Sequence, residues 1–357
     1  MDFRLGTHLL SLKGPILVTG HTGFKGTWLT LLLEKLGIPV VGLSLLPTED
    51  SLFTRANRTG QIEEVFQDIR DSGNVRKTIA EFKPSAIFHL AAQPLVLESY
   101  NSPLQTFETN VMGTSNILDA SFHEKSVKAI VVVTTDKVYR NNNSGNAFIE
   151  SDPLAGKDPY SASKVGTEAA VAAWQQVSKI SGGPKVLSVR AGNVIGGGDW
   201  AENRLLPDLI RGFKSGNLIQ VRNPESTRPW QHVLDPLQGY VMALEGLLKG
   251  ETFDALNFGP NLKSLAVREV VEIARKEWAQ ETTLEYLPQS FESIAEAQSL
   301  QLDSSLAREQ LAWTPHWSQE EAITSTVQWW LKVLSTSKTP TEACEDNLIE
   351  LLSQARL

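Results

Sequence analysis

Nearly unbroken apolar runs at 15–19 (PILVT), 40–43, 86–90 and 129–134 (AIVVVT) punctuate the first half of the chain. A strand with one wet face alternates apolar and polar residues. These runs do not alternate, so both faces are expected to be covered, as in a parallel sheet flanked by helices. The intervening segments have helical spacing. Residues 27–36 read as an amphipathic helix, and 160–180 as a long helix leading into a strand at 185–190. Strand and helix in alternation predict βαβ units and an α/β fold on a doubly wound parallel sheet. Beyond Arg190 the pattern breaks. AGNVIGGGDWAENR has the glycine-rich, polar composition of loops that touch a ligand. A helix at 235–248 and a strand at 253–258 follow, the strand expected to return to the sheet. The polar run STSKTPTEACED (335–346) reads as a linker, with a short terminal helix over 347–357.

Composition narrows the class. With 357 residues and 41% hydrophobic content, the chain can bury a large core. A net charge of −8 argues against a general nucleic-acid or anionic-membrane surface, while leaving room for a local basic pocket. Cys344 is the sole cysteine, so neither an intrachain disulfide nor a thiolate metal cluster can form, and no metal site is expected. No apolar run approaches the roughly 20 residues that span a bilayer. The opening MDFRLGTHLLSLKG does not read as a signal peptide, so a cytoplasmic location is expected.

The first chemical signal is TGHTGFKG. It places Gly20, Gly23 and Gly26 in a G-x-x-G-x-x-G pattern, directly after the first strand and at the opening of the first helix. Glycine permits the tight turn and close backbone approach, and the helix N-terminus offers unpaired N–H groups to a diphosphate. With Thr22, Phe24 and Lys25, these glycines form a candidate dinucleotide-binding turn of Rossmann type. No Gly-Lys-Ser/Thr follows, which disfavours a P-loop. The second strand runs into Ser44, Leu45, Leu46 and Pro47, without a carboxylate until Glu49. The ribose-binding acid that marks NAD sites is therefore not evident. Lys25 is placed to attract a phosphate, and NAD against NADP stays open at this strand.

The second signal is YSASK, which sets Tyr160 and Lys164 one helical turn apart on one face. A free tyrosine titrates near pH 10. A neighbouring ammonium is expected to favour the phenolate and make Tyr160 a general base. Thr135, closing the 129–134 run, is carried to the C-terminal edge of the sheet, where open α/β folds bind ligands.

With these residues in place, the chain resembles the extended short-chain dehydrogenase/reductases, and among them the nucleotide-sugar 4,6-dehydratases, most nearly the branch acting on CDP-glucose. The matching pieces are VTGHTGFKGTWL, HLAAQPLV, TNVMGT, TTDKVY, DPYSASK, RAGNVIGGGDW and RPWQHVLDPL. TTDKVY, RAGNVIGGGDW and RPWQHV are the more specific. The resemblance implies NAD as cofactor and a nucleotide sugar as substrate. Asp68 and Ile69 would hold the adenine, Leu90, Ala91 and Ala92 would line the cofactor cleft, and Asn110 would brace the active-site helix. Gln93, Asn193, Arg204, Arg228 and His232 would face the substrate, with Arg228 on the diphosphate; for His232 a core position is the alternative. Tyr160 would take the proton of the sugar 4-hydroxyl, Asp136 would protonate the departing 6-hydroxyl and Lys137 would remove the carbon 5 proton. The helices at 103–122 and 160–180 would form a homodimer face. The implied division is a dinucleotide-binding domain at 1–190, with 232–258 returning to it. A smaller C-terminal α/β substrate-binding lobe would comprise 191–231 and 259–334, and 335–357 would form the linker and terminal helix. A 4-epimerase or reductase and a UDP-N-acetylhexosamine 4,6-dehydratase are the enzymatic rivals. A non-catalytic nucleotide-sensing protein is the distant one.

Overall fold

A computed structural model describes residues 7–261, 264–287 and 299–353. The end of the expected terminal helix, 354–357, lies outside them, as do 262–263 and 288–298 of the expected substrate lobe. The centre is a seven-stranded sheet. Its strands are β1 (Ile16–Thr19), β2 (Val40–Ser44), β3 (Glu63–Phe66), β4 (Ala86–His89), β5 (Ala129–Val133), β6 (Lys185–Ala191) and β7 (Ala255–Phe258). In space they run β7-β6-β5-β4-β1-β2-β3, and every pairing is parallel. The order reverses between β1 and β4, so a crevice opens at their C-terminal ends.

Because successive side chains point to opposite faces, the strands inside the sheet feed two cores. Ile16, Val18, Phe88, Val131 and Leu187 enter one, and Leu17, Ile87, Ile130, Val132 and Val186 enter the other. The first core is shared with α1 (Phe24–Lys35). The second is closed by α2, at 103–122, and by α3 (Pro159–Ser181). Helix α3 starts at Pro159 under an Asp158 capping box and stops at Gly182 in the left-handed region, so its length is set by local chemistry. Within α2, Glu108–Gly113 widens into a π-helical turn.

Two expectations change, and one strand, β3, went unread. The 27–36 helix is not amphipathic: Trp28, Leu29, Leu32 and Leu33 are buried together with Thr27 and Thr30. It is sandwiched between the sheet and later helices, among them α5 (Leu234–Lys249). Strand β3 (EEVF) carries no apolar run because it is an edge strand with partly exposed faces. The 335–346 segment is not a continuous linker. Helix α7 begins at Pro340, capped by reciprocal bonds between Thr339 and Glu342, and docks through Ala343, Cys344, Leu348 and Leu351. It lies beside α6 (Gln319–Leu334) and α1.

A buried polar network ties α3 to the sheet. Glu168, one turn beyond Lys164, accepts from Thr134 Oγ1 (2.5 Å), Ser188 Oγ (2.6 Å) and Arg190 Nε (2.9 Å), and its second oxygen accepts from Arg190 (2.8 Å). Arg190 also donates to the Tyr139 hydroxyl at 2.9 Å, which donates to Asn257 on β7 at 2.7 Å. Both charged side chains are 5% exposed. Removing one member of such a pair strands the other charge in a dry interior. Glu168→Ala is expected to cost about 3–5 kcal/mol of unfolding free energy, read as a lowered midpoint in chemical denaturation.

Candidate active site

The glycine turn closes against β4. Gly20 has φ +74°, and a Cβ there would lie 2.8 Å from the Ala91 nitrogen; one on Gly26 would lie 2.0 Å from the Gly20 oxygen. Side chains at either position would force strand and helix apart. Gly23 is the N-cap of α1 and makes no side-chain cap, which leaves the helix's first N–H groups facing the crevice. Such a cradle fits a dinucleotide diphosphate. Thr22 ties the turn to the end of β2 through the Ser44 hydroxyl (2.7 Å) and the Leu45 carbonyl (3.1 Å). Leu45 and Leu46 are 61% and 73% exposed beside it. On the β4 side, the Leu90 and Ala91 N–H groups both reach Thr19 Oγ1 at 3.2 Å, with Ala92 following. Asp68 is held well below the usual carboxylate range by hydrogen bonds from Arg70. The Ile69 side chain turns into the core against Gly113.

Lys25 departs from its expected role. Its amine turns inward, 5.8 Å from the ring centroid of the fully buried Tyr240, rather than outward toward a phosphate. Burial first, then the charges of Arg204 and Lys164, depress it to about 7, against a pull upward from Asp136. Lys25 thus belongs to the reaction pocket, and no cation inside the turn is aimed at an adenosine phosphate.

Tyr160 and Lys164 emerge from the first turns of α3 and are 8% and 5% exposed. Thr135 and Asp136 leave the end of β5 on a single 3-10 turn, Asp136–Val138. Lys164 Nζ donates to the Val133 carbonyl (3.1 Å), joining helix to strand. The Thr135 hydroxyl donates to Asp136 Oδ1 (3.1 Å) and lies near enough to the Tyr160 phenol to favour its ionised form. Asp136 Oδ2 is buried and has no partner. The Lys137 backbone N–H donates to Thr135 Oγ1 (3.3 Å), and among the described residues its half-buried amine has neither hydrogen bond nor ion pair.

In the ligand-free pocket the shift of Tyr160 runs opposite to the one expected. Burial pushes the Tyr160 phenol up to about 12, assisted by the Asp136 charge; Thr135 and Arg204 pull the other way and lose. Lys164 is itself brought down by burial to about 8, with Glu168 resisting. The ligand-free pocket therefore holds a phenol, not a phenolate.

Asn110 lies in the π-helical turn, where its Nδ2 donates to Ser163 Oγ (2.8 Å) and the Gln93 carbonyl (3.1 Å). The Gln93 amide is occupied by Thr106 and by both backbone groups of Leu95. Arg204 caps α4 (Leu205–Ser215), pairs with Asp199 (2.9 Å) and carries its charge to within influence of Tyr160. Asn193 offers a buried, unpartnered Oδ1, and Arg228 donates to the Thr227 carbonyl (2.8 Å). His232 does not face a substrate. It is fully buried between Trp28 and Trp317, ring centroids 6.2 and 4.1 Å away, and burial drops it to about 3. Tyr240 escaped sequence reasoning; its hydroxyl is buried, unpartnered and within electrostatic reach of Tyr160. Asp199 was visible only as part of the GGGDW run.

Residues 17–326 match the family described as GDP-mannose 4,6 dehydratase. The chain is 42% identical over 323 residues to a CDP-glucose 4,6-dehydratase of Salmonella typhimurium, covering 88% of this chain and 89% of that one. The chain belongs to the nucleotide-sugar 4,6-dehydratase family. Solved structures of this family and of related epimerases share its fold. A UDP-glucose 4-epimerase of Thermus thermophilus in complex with NAD superposes with a TM-score of 0.78 at 25% identity, over 89% of this chain and 99% of that one. A dTDP-glucose 4,6-dehydratase of Streptomyces venezuelae gives 0.78 at 24% identity, over 92% and 99%. Among the described residues no group of ligands could hold a metal ion, and no helix is long and apolar enough to cross a membrane.

The inward Lys25 sets a pH signature. Its reference value is 10.5 and its folded value about 7, so between these the unfolded chain binds more protons. Stability then rises with pH across that window and is flat in this respect below it. Urea midpoints are expected to climb from neutral to mildly alkaline pH, and Lys25→Met to flatten the climb, leaving the smaller part due to Lys164.

Proposed function

We propose that the chain dehydrates a nucleotide-activated hexose, CDP-glucose to CDP-4-dehydro-6-deoxyglucose, with NAD as a resident cofactor. One observation carries the reading: a buried acid with a free oxygen, Asp136, is held by Thr135 at the end of β5, close enough for its charge to act on the phenol of Tyr160. A 4-epimerase needs the threonine, tyrosine and lysine, but it has no hydroxyl to expel and so no use for that acid. The 42% identity to the Salmonella enzyme supports the CDP-glucose assignment.

The glycine turn, with Gly20, Gly23, Phe24 and Gly26, would hold the cofactor diphosphate, and Asp68 with 90–92 the adenosine and crevice sides. Bound NAD supplies a hydride acceptor for carbon 4 that later gives the hydride back at carbon 6. Tyr160 takes the 4-hydroxyl proton, oriented by Thr135. Because its phenol is protonated in the ligand-free pocket, it must first be ionised, and Arg204 supplies positive charge that favours this. The 4-ketone acidifies carbon 5, and Lys137 removes that proton. The carbon 6–oxygen bond then breaks, the electron pair leaving with oxygen, which takes its proton from Asp136. Lys137 returns its proton to carbon 5 as carbon 6 is reduced. Tyr160 ends one proton richer and Asp136 one poorer, and Thr135, bonded to Asp136 and near Tyr160, lies on the path that resets them.

The chain also pairs with a second copy of itself in this reading. Leu104 (73% exposed), Phe107 (40%) and Met112 (56%) on α2 and Ile180 (86%) on α3 leave apolar side chains in water on two packed helices.

Offered a panel of nucleoside-diphosphate hexoses, the protein is expected to convert CDP-glucose, with loss of one water by mass and the alkaline absorbance of a 4-keto-6-deoxy sugar. An epimer of unchanged mass would refute the dehydratase assignment. Lys137→Met is expected to accumulate reduced cofactor without product, and full turnover would remove Lys137 from its role. Sedimentation is expected to give a dimer, dissociated by Leu104→Glu with Met112→Glu.

A further inference from the structure

Gly192, in the loop just past β6, is absorbed by none of the roles above. A Cβ built on it would stand 2.5 Å from Asp136 Oδ2, 3.2 Å from Asp136 Cγ and 2.7 Å from Pro229 Cγ. These are contacts with side-chain atoms, so an added methyl displaces the carboxylate and the proline ring before it displaces backbone. The glycine is not in the left-handed region, so alanine can adopt its conformation. The missing side chain is therefore a matter of space.

The space serves Asp136. That residue is 1% exposed, with Oδ1 held by Thr135 and Oδ2 unpartnered against Gly192. A buried carboxyl oxygen without a partner costs free energy unless something fills the position in the working state. The segment that follows, with the unpartnered Asn193 Oδ1, is braced by Gln231, whose backbone N–H donates to the Asn193 carbonyl (3.2 Å) and whose amide donates to the Gly192 carbonyl (3.3 Å). The wall bearing Gly192 is fixed, so any clash falls on the acid.

We propose that Gly192 is a positioning residue for the elimination step: by lacking a side chain it seats Asp136 with one oxygen on Thr135 and the other turned to the departing 6-hydroxyl. The inference rests on the dehydratase reading and adds to it the residue that sets the acid's place. Oxidation at carbon 4 uses Tyr160, Thr135 and Lys164, whereas the atoms nearest a Cβ at Gly192 belong to Asp136 and Pro229, so a methyl there separates the two halves of the reaction.

The test is Gly192→Ala in the full chain with CDP-glucose, followed by the near-ultraviolet absorbance of reduced nicotinamide, by product mass and by thermal melting. Expected are a nearly unchanged melting temperature, reduced cofactor that builds up on mixing, and product formation slowed by about a hundredfold, the scale of a 1 Å misplacement. In an Asp136→Asn background the same substitution is expected to add no further loss, whereas a merely structural defect adds its loss in both backgrounds. Should Gly192→Ala fold poorly, Gly192→Ala with Pro229→Ala removes the ring contact and leaves the carboxylate clash to be read alone. Wild-type product formation in the alanine variant, or equal losses in both backgrounds, overturns the assignment of Gly192. A wild-type protein that leaves every nucleotide sugar unchanged removes the dehydratase reading and this inference together.

Discussion

The reaction pocket depends on the buried contact between Glu168 and Arg190. The carboxylate sits one turn beyond Lys164 on α3, and the guanidinium comes from β6, the strand beside β5. Their shared bonds to Thr134, Ser188 and Tyr139 enclose the segment that carries Thr135 and Asp136. Helix, two strands and catalytic turn are thus registered by a single desolvated ion pair with both carboxylate oxygens bonded. Isolated surface pairs are too weak to do this. A dry and fully bonded pair can, because any shift leaves a charge without compensation.

Much of the sheet was legible because its strands are buried on both faces and so are written as uninterrupted apolar runs. The runs at 15–19, 86–90 and 129–134 coincide with β1, β4 and β5 to within a residue. Strand β3 was not legible, since an edge strand needs no apolar run to be held by one neighbour. The start of the C-terminal helix was hidden for a related reason. Its leading residues are polar, and of its anchor side chains only Ala343 and Cys344 precede the helix expected at 347.

In the site, spacing told which residues meet but not the state in which they meet. Tyr160 and Lys164 share a helical turn in the sequence; that burial lifts the phenol more than a neighbouring charge lowers it depends on the whole surrounding wall. His232 shows the same limit, since its partners Trp28 and Trp317 lie far from it in sequence. Lys25 sits in a motif that suggested a phosphate outside, yet its amine lies beside the ring of the buried Tyr240, a residue far from it in sequence.

The docking of α7 couples the far end of the chain to its beginning. Thr341 donates to the Ala56 carbonyl and Glu345 pairs with Lys35 at the close of α1, while the helix opens only after the polar stretch that precedes Pro340. The tail is thus a buttress behind the helix whose opposite end opens from the glycine turn. A protease nick in that stretch would leave the reaction pocket chemically whole while loosening the wall it leans on. The last helix therefore bears on the position of α1 rather than on the side chains that meet at Tyr160.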